Sequence, residues 1–172
     1  MSANDSEPTL DPISNRIARI KAGNDPQALG RLRTGWAILS NQQPDGVTGC
    51  CMLLPDLPED LLAGSECGVT PGHLNDLPGP ARAAFLADVC LLGDAITAAT
   101  GCERLNYLIL CNQVPVLHAH IVPRFAVEDP EKRLGDPFAV YDFPGARRAD
   151  GLGDDRELVE RLKEALERVG AG

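Results

Sequence analysis

The sequence predicts an α+β domain: a mainly antiparallel sheet of about five strands, one long helix packed on it, and additional helices at the termini. Three observations carry this. Short apolar segments rich in β-branched residues are separated by tight links bearing Pro and Gly, which suits antiparallel neighbours. One long helical stripe lies between the second and third of those segments and supplies the single long crossover. Shorter helical stripes bracket the pattern at both ends. With 172 residues, 44% hydrophobic and 24% charged, the chain suits one domain with a substantial core.

Residues 1–10 are expected to be a disordered tail, and 11–172 a single domain. Asp11-Pro12 reads as an N-cap followed by proline at the first helical position. Ile13, Ile17 and Ile20 follow at helical spacing, and Gly23 stops the helix. Trp36 to Ser40 predicts a strand, 41–46 a turn, and Gly49 to Leu54 a second strand ended by Pro55. Residues 55–79, with several Pro and Gly, make a long connection of the kind that often borders a functional site. Pro80 opens the clearest helix, in which Phe85, Val89, Leu92, Ile96 and Ala99 share one face and Gly101 is the stop. Arg104 to Cys111 and Val116 to Val122 predict two more strands, joined by the short link 112–115. Residues 126–172 read as a C-terminal extension, irregular to 153 and then helical. Its helix starts at Asp154, with Glu157 three residues on and an apolar stripe of Leu158, Leu162, Leu166 and Val169.

Charge and targeting signals narrow the function. The net charge of -9 repels a phosphate backbone, so nucleic acid is not an expected partner. One pocket can still differ in sign from the whole surface and take a small phosphorylated ligand. The polar, acidic start lacks the pattern of a secretory signal, and no run of about 18 apolar residues marks a membrane span. A cytoplasmic protein without a membrane partner is the expectation. Six cysteines, none spaced as CxxC, read as small buried hydrophobes in a reducing compartment.

The chemistry gathers at Val116-Leu117-His118-Ala119-His120. Alternate residues of a strand share a face, so 118 and 120 lie roughly 7 Å apart at the backbone with both rings toward one pocket. Two imidazoles with ordinary pKa values near 6.5 can divide nucleophilic and hydrogen-bonding duties near neutral pH. The spacing by itself leaves three readings open. The pair is a solvated strand face, a metal site with His73 as third ligand, or a centre for phosphorus chemistry with His120 as nucleophile.

The stretch Asn112-Gln-Val-Pro-Val-Leu-His-Ala-His-Ile-Val-Pro-Arg124 resembles the signature strand of the histidine-triad (HIT) family, His-φ-His-φ-His-φ-φ with φ apolar, followed by Pro-Arg. In that register Val116 stands in the place of the first histidine, His118 in that of the second and His120 in that of the third. Ala37 to Asn41 with Pro44, Gly49 to Pro55, and Gly72-His73-Leu74 with Asp76-Leu77 are similar to upstream family segments in the same order, although Cys50 stands where the family has histidine. The resemblance implies a nucleotide phosphohydrolase or nucleotidyl transferase acting at the α-phosphorus of a dinucleoside polyphosphate-like or nucleoside phosphoramidate-like substrate. It implies that His120 forms the nucleotidyl-histidine, His118 contacts the leaving oxygen, Asn112 faces a phosphate and Asn41 a ribose hydroxyl. Gln113 and Arg124 complete the expected substrate-binding set. No metal or cofactor is required, and a homodimer is expected. Val116 and Cys50 motivate an alternative, a catalytically weakened nucleotide-binding or interaction module, and a His-x-His metal-binding protein is the second alternative.

Other residues read as structural. His73 reads as a loop residue, Trp36 as core, and Arg147-Arg148 as a solvated charge run.

Overall fold

The computed structural model describes residues 10–62 and 70–170. Most of the expected N-terminal tail, and Cys67, lie outside the described residues. The first helix, α1 (Pro12–Lys21), starts as its sequence requires. The Asp11 carboxylate accepts from the amides of Ile13 at 2.8 Å and Ser14 at 3.0 Å, filling two donors that a helix start leaves unpaired.

Strands β1 (Ala28–Arg31), β2 (Gly35–Leu39), β4 (Cys51–Pro55), β5 (Arg104–Leu108) and β6 (Ala119–Arg124) form one sheet in the order β1-β2-β4-β6-β5, with antiparallel neighbours throughout. The two-residue strands β3 (Gln42–Gln43) and β7 (Arg147–Arg148) make a small second sheet. Thus the α+β expectation with about five sheet strands matches. The first strand has no signal in the sequence, because Ala28-Leu-Gly-Arg31 has no alternating apolar run. It is made a strand by pairing with β2, and its register shifts between Ala28 and Gly30.

Helix α2 (Gly79–Thr100) is the crossover between β4 and β5. Phe85, Val89, Leu92 and Ile96 are buried along the predicted face, each worth about 1.5–3 kcal/mol of transfer from water. Gly93 permits the close approach to β5: a Cβ there would lie 2.3 Å from the Tyr107 hydroxyl. Gly101, at φ 67°, closes the helix in the left-handed region. By length and composition α2 could cross a membrane, yet its apolar face packs on the sheet and on α5 (Arg156–Gly170). Buried Asp88 also reaches across the helix–sheet junction, accepting from the Thr34 amide and hydroxyl, both at 2.6 Å.

Alternation assigns the two sheet faces. Ala37, Leu39, Cys51, Leu53, Ala119 and Ile121 join the core under α2 and α5. Ile38, Leu54 and Val116 face the other way and pack with Ile13 and Ile20 of α1. Farther along the same face, Val47, Cys50, Val122 and Tyr141 form a third cluster.

The C-terminal extension is more ordered than its composition suggests. It contains α3 (Pro130–Arg133) and α4 (Pro137–Val140), each opened by a capping aspartate, Asp129 and Asp136. The expected start of the last helix at Asp154 shifts to Arg156. Asp155 instead binds the Arg147 guanidinium at 2.7 and 2.8 Å, so Arg147-Arg148, exposed as expected, is also tethered as a strand. Cys90 is exposed and Cys111 half-buried, which corrects the reading of all six cysteines as core; Cys50, Cys51 and Cys102 are buried.

Candidate active site

Met52, His120 and Leu108 form one row across β4, β6 and β5, on the sheet face opposite α2. His118 precedes β6, and the chain there is fixed by the Leu117 amide donating to the Pro71 carbonyl at 2.7 Å. The two imidazoles meet with centroids 4.9 Å apart at an interplanar angle of 75°. His118 is buried and His120 keeps part of its surface open.

The two rings are held differently. His118 Nδ1 lies 2.7 Å from the Val116 carbonyl oxygen. A carbonyl can only accept, so Nδ1 carries a hydrogen, and in the neutral ring Nε2 presents the lone pair. The His120 ring makes no hydrogen bond among the described residues. Burial, then the neighbouring His118, lowers its pKa from 6.5 to about 4, because desolvation disfavours the cation. His120 is therefore neutral at pH 7.

That shift has a stability consequence. A histidine whose folded pKa is depressed binds fewer protons folded than unfolded between the two values, so stability falls as pH drops through that window. The fall begins near pH 6.5 and is complete near pH 4, and amounts to roughly 3 kcal/mol at about 1.4 kcal/mol per pKa unit. Urea unfolding across this range is expected to show the decline in the native chain and a flatter profile in His120→Gln. Parallel profiles would contradict it.

Val116 does more than omit a ring. Its side chain is 7% exposed and belongs to the cluster that seats α1. Val116→His is expected to cost about 1–3 kcal/mol, because it places a polar ring of larger volume in a packed apolar site. A Tm measurement on that variant checks this.

The other expected ligands are placed unequally. Asn41 follows β2; its side-chain oxygen accepts from Arg16 Nη1 at 2.9 Å, which leaves its amide hydrogens for a ligand. Beside it, the Ser40 hydroxyl is buried without a hydrogen-bond partner among the described residues. Asn112 and Gln113 are exposed on the loop before the histidines and make no hydrogen bond among the described residues.

Arg124 is engaged inside the fold. It is 2% exposed and donates from Nε to Glu128 at 2.9 Å, from Nη1 to Asn106 at 2.7 Å and the Gly135 carbonyl at 3.0 Å, and from Nη2 to the Lys132 carbonyl at 2.7 Å. Its Nη2 also lies 2.8 Å from a Glu128 carboxylate oxygen, so all five N–H groups are engaged and none is left for a phosphate; Arg124 drops out of the ligand set. The composition of the Pro-Arg motif carries no sign of this, since all the partners except Asn106 lie in the extension.

Two aromatic residues were missed from sequence. Phe138, at the second position of α4, stands edge-on to His120 with centroids 5.2 Å apart and an angle of 80°. Phe143 packs against Phe138 at 4.4 Å. Single phenylalanines in a polar, Gly- and Pro-rich stretch give no periodic signal, so only the tertiary path reveals them. Cys50, in place of the family's upstream histidine, donates from Sγ to the Val47 carbonyl at 3.0 Å. Burial pushes its thiol up to about 12, so it is not a nucleophile at neutral pH.

The third-ligand role for His73 does not arise: its Nε2 pairs with Asp76 at 3.1 Å on the exposed turn before α2. No group of three or more His, Cys, Asp or Glu side chains converges as metal ligands among the described residues.

No protein-family model and no curated protein matches the chain. Solved structures do. A histidine triad protein from Marinobacter aquaeolei VT8 superposes with a TM-score of 0.63 at 18% identity, over 93% of this chain and 98% of that one. One from Sinorhizobium meliloti 1021 gives 0.61 at 21% identity, over 80% and 87%. A hypothetical histidine triad nucleotide-binding protein from Sulfolobus tokodaii strain 7 gives 0.61 at 16% identity, over 90% and 93%. The fold is that of histidine triad proteins.

Proposed function

We propose that the chain is a divergent histidine triad protein that acts at the α-phosphorus of a small nucleotide through a covalent nucleotidyl-histidine, as a hydrolase or nucleotidyl transferase. Dinucleoside polyphosphate-like and nucleoside phosphoramidate-like compounds are the substrate classes. The single observation that carries the reading is the His118 Nδ1–Val116 carbonyl contact of 2.7 Å beside a second imidazole. A nucleophile needs a free lone pair and a third group that orients its ring, and only His118 has both. The expected roles are therefore exchanged: His118 becomes the nucleophile and His120 the hydrogen-bond donor to the leaving oxygen.

In the first step His118 Nε2 bonds to phosphorus as the bond from phosphorus to the leaving group breaks. The electron pair departs on the leaving atom, to which His120 donates a hydrogen bond, and solvent supplies the final proton. In the second step water, or a second phosphate, attacks phosphorus. The P–N bond breaks, its electron pair returns to Nε2, and the attacking water gives up its proton to solvent. The ribose lies toward Asn41 and Ser40, and Asn112 and Gln113 face the phosphates. This reading includes a homodimer, which sedimentation equilibrium reads directly.

Incubation of the full chain with a dinucleoside polyphosphate and with a nucleoside phosphoramidate, followed by acid-free quenching and intact-mass measurement, is expected to show a nucleotidyl adduct that peptide mapping places on His118. Nucleotide binding with no adduct and no turnover would favour the second reading, a binding module. That reading is motivated by the apolar Val116 in the first triad position.

A further inference from the structure

We propose that Phe138, on the C-terminal extension, is the positioning residue for His120: it fixes the imidazole edge-on to His118 and keeps water off it, so that its N–H meets the leaving oxygen. This rests on the reading of His118 as nucleophile and His120 as donor.

Four rings run in series. His118 and His120 are 4.9 Å apart at 75°, His120 and Phe138 5.2 Å apart at 80°, and Phe138 and Phe143 4.4 Å apart at 34°. Edge-to-face contacts orient rings as well as attract them, because ring faces are negative and edges positive. His118 has a carbonyl to set its rotation. His120 has none: its ring makes no hydrogen bond among the described residues, and its neighbours across the ladder are Met52 and Leu108. Its rotation is set by packing, and Phe138 supplies a second edge-on ring contact besides that of His118.

Phe138 is itself held on rigid supports. Asp136 accepts from the Phe138 amide at 2.9 Å. On one side Arg124 grips the carbonyls of Lys132 and Gly135; on the other the Tyr141 hydroxyl donates to Glu128 at 2.7 Å. Beyond it β7 pairs with β3. A donor held to within about 0.5 Å by such a second layer is what catalysis of leaving-group departure needs. An apolar ring at this place also keeps water from competing for the His120 N–H.

The test compares two esters of one nucleoside 5′-phosphate, p-nitrophenyl and phenyl, in single turnover with the full chain. The p-nitrophenolate departs with little assistance, whereas the more basic phenolate needs the donor. Phe138→Ala is expected to slow the phenyl ester about tenfold and the p-nitrophenyl ester less than about twofold, and Phe138→Leu, which keeps apolar bulk, to restore most of the loss. The ratio of the two rates in one preparation does not depend on the folded fraction. An unchanged ratio overturns the positioning role and leaves the catalytic reading in place. Failure of the native chain to turn over either ester overturns the catalytic reading, and the positioning role with it.

Discussion

Replacing His118 by alanine is expected to lower turnover of the preferred nucleotide by at least about 10⁴-fold, since the bond-forming atom is removed. His120→Ala is expected to lower it by about 10²–10³-fold, the usual loss when a donor to a developing anion is removed. The two losses are separable in kind. His118→Ala eliminates the covalent adduct. His120→Ala keeps the adduct and slows its formation most for basic leaving groups. The reverse pattern, with the adduct lost only in His120→Ala, would return the nucleophile to His120 and leave the Val116 carbonyl contact as a purely structural bond.

The pH dependence of kcat/KM follows from the same assignment. His120 needs no proton beyond its neutral N–H, and its cation forms only near pH 4. Protonation of that ring is therefore expected to leave the rate unchanged between pH 5 and 8.

Arg124→Ala is expected to be the most damaging substitution for stability outside the apolar core, at about 3–5 kcal/mol, because it strands a buried carboxylate. Glu128 is 7% exposed. Burial acts to raise its pKa, but hydrogen bonds from Arg124 and Tyr141 outweigh it and the net shift is downward. The carboxylate is thus held ionised by the partners that Arg124→Ala would break. Arg124→Lys is expected to recover less than half of the loss, since an ammonium cannot reproduce a planar fork that serves Glu128, Asn106 and two carbonyls at once. Urea unfolding at pH 7 reads both variants, and adding Glu128→Gln to Arg124→Ala should return part of the stability. A loss below about 1 kcal/mol for Arg124→Ala would show that the network contributes little. The variant also frees the near side of the extension, so it is expected to share the leaving-group signature of Phe138→Ala in whatever folded protein remains.

The sequence by itself determined the fold class, the long α2 with its buried face, the N-cap at Asp11 and the histidine pair. Each of these is written in local periodicity or in a residue type with one favoured local geometry. The tertiary structure decided the rest. It made Ala28–Arg31 a strand, because pairing with β2 supplies what its own propensity lacks. It drew the polar extension into an aromatic wall against His120, through bonds from Arg124 to Lys132, Tyr141 to Glu128 and Arg147 to Asp155 that span many residues and leave no periodic trace. It took Arg124 out of the ligand set for the same reason. Above all it made the two imidazoles unlike one another. Spacing puts both rings on one face, but only the three-dimensional path of the chain gives the Val116 carbonyl to His118 and leaves His120 to packing.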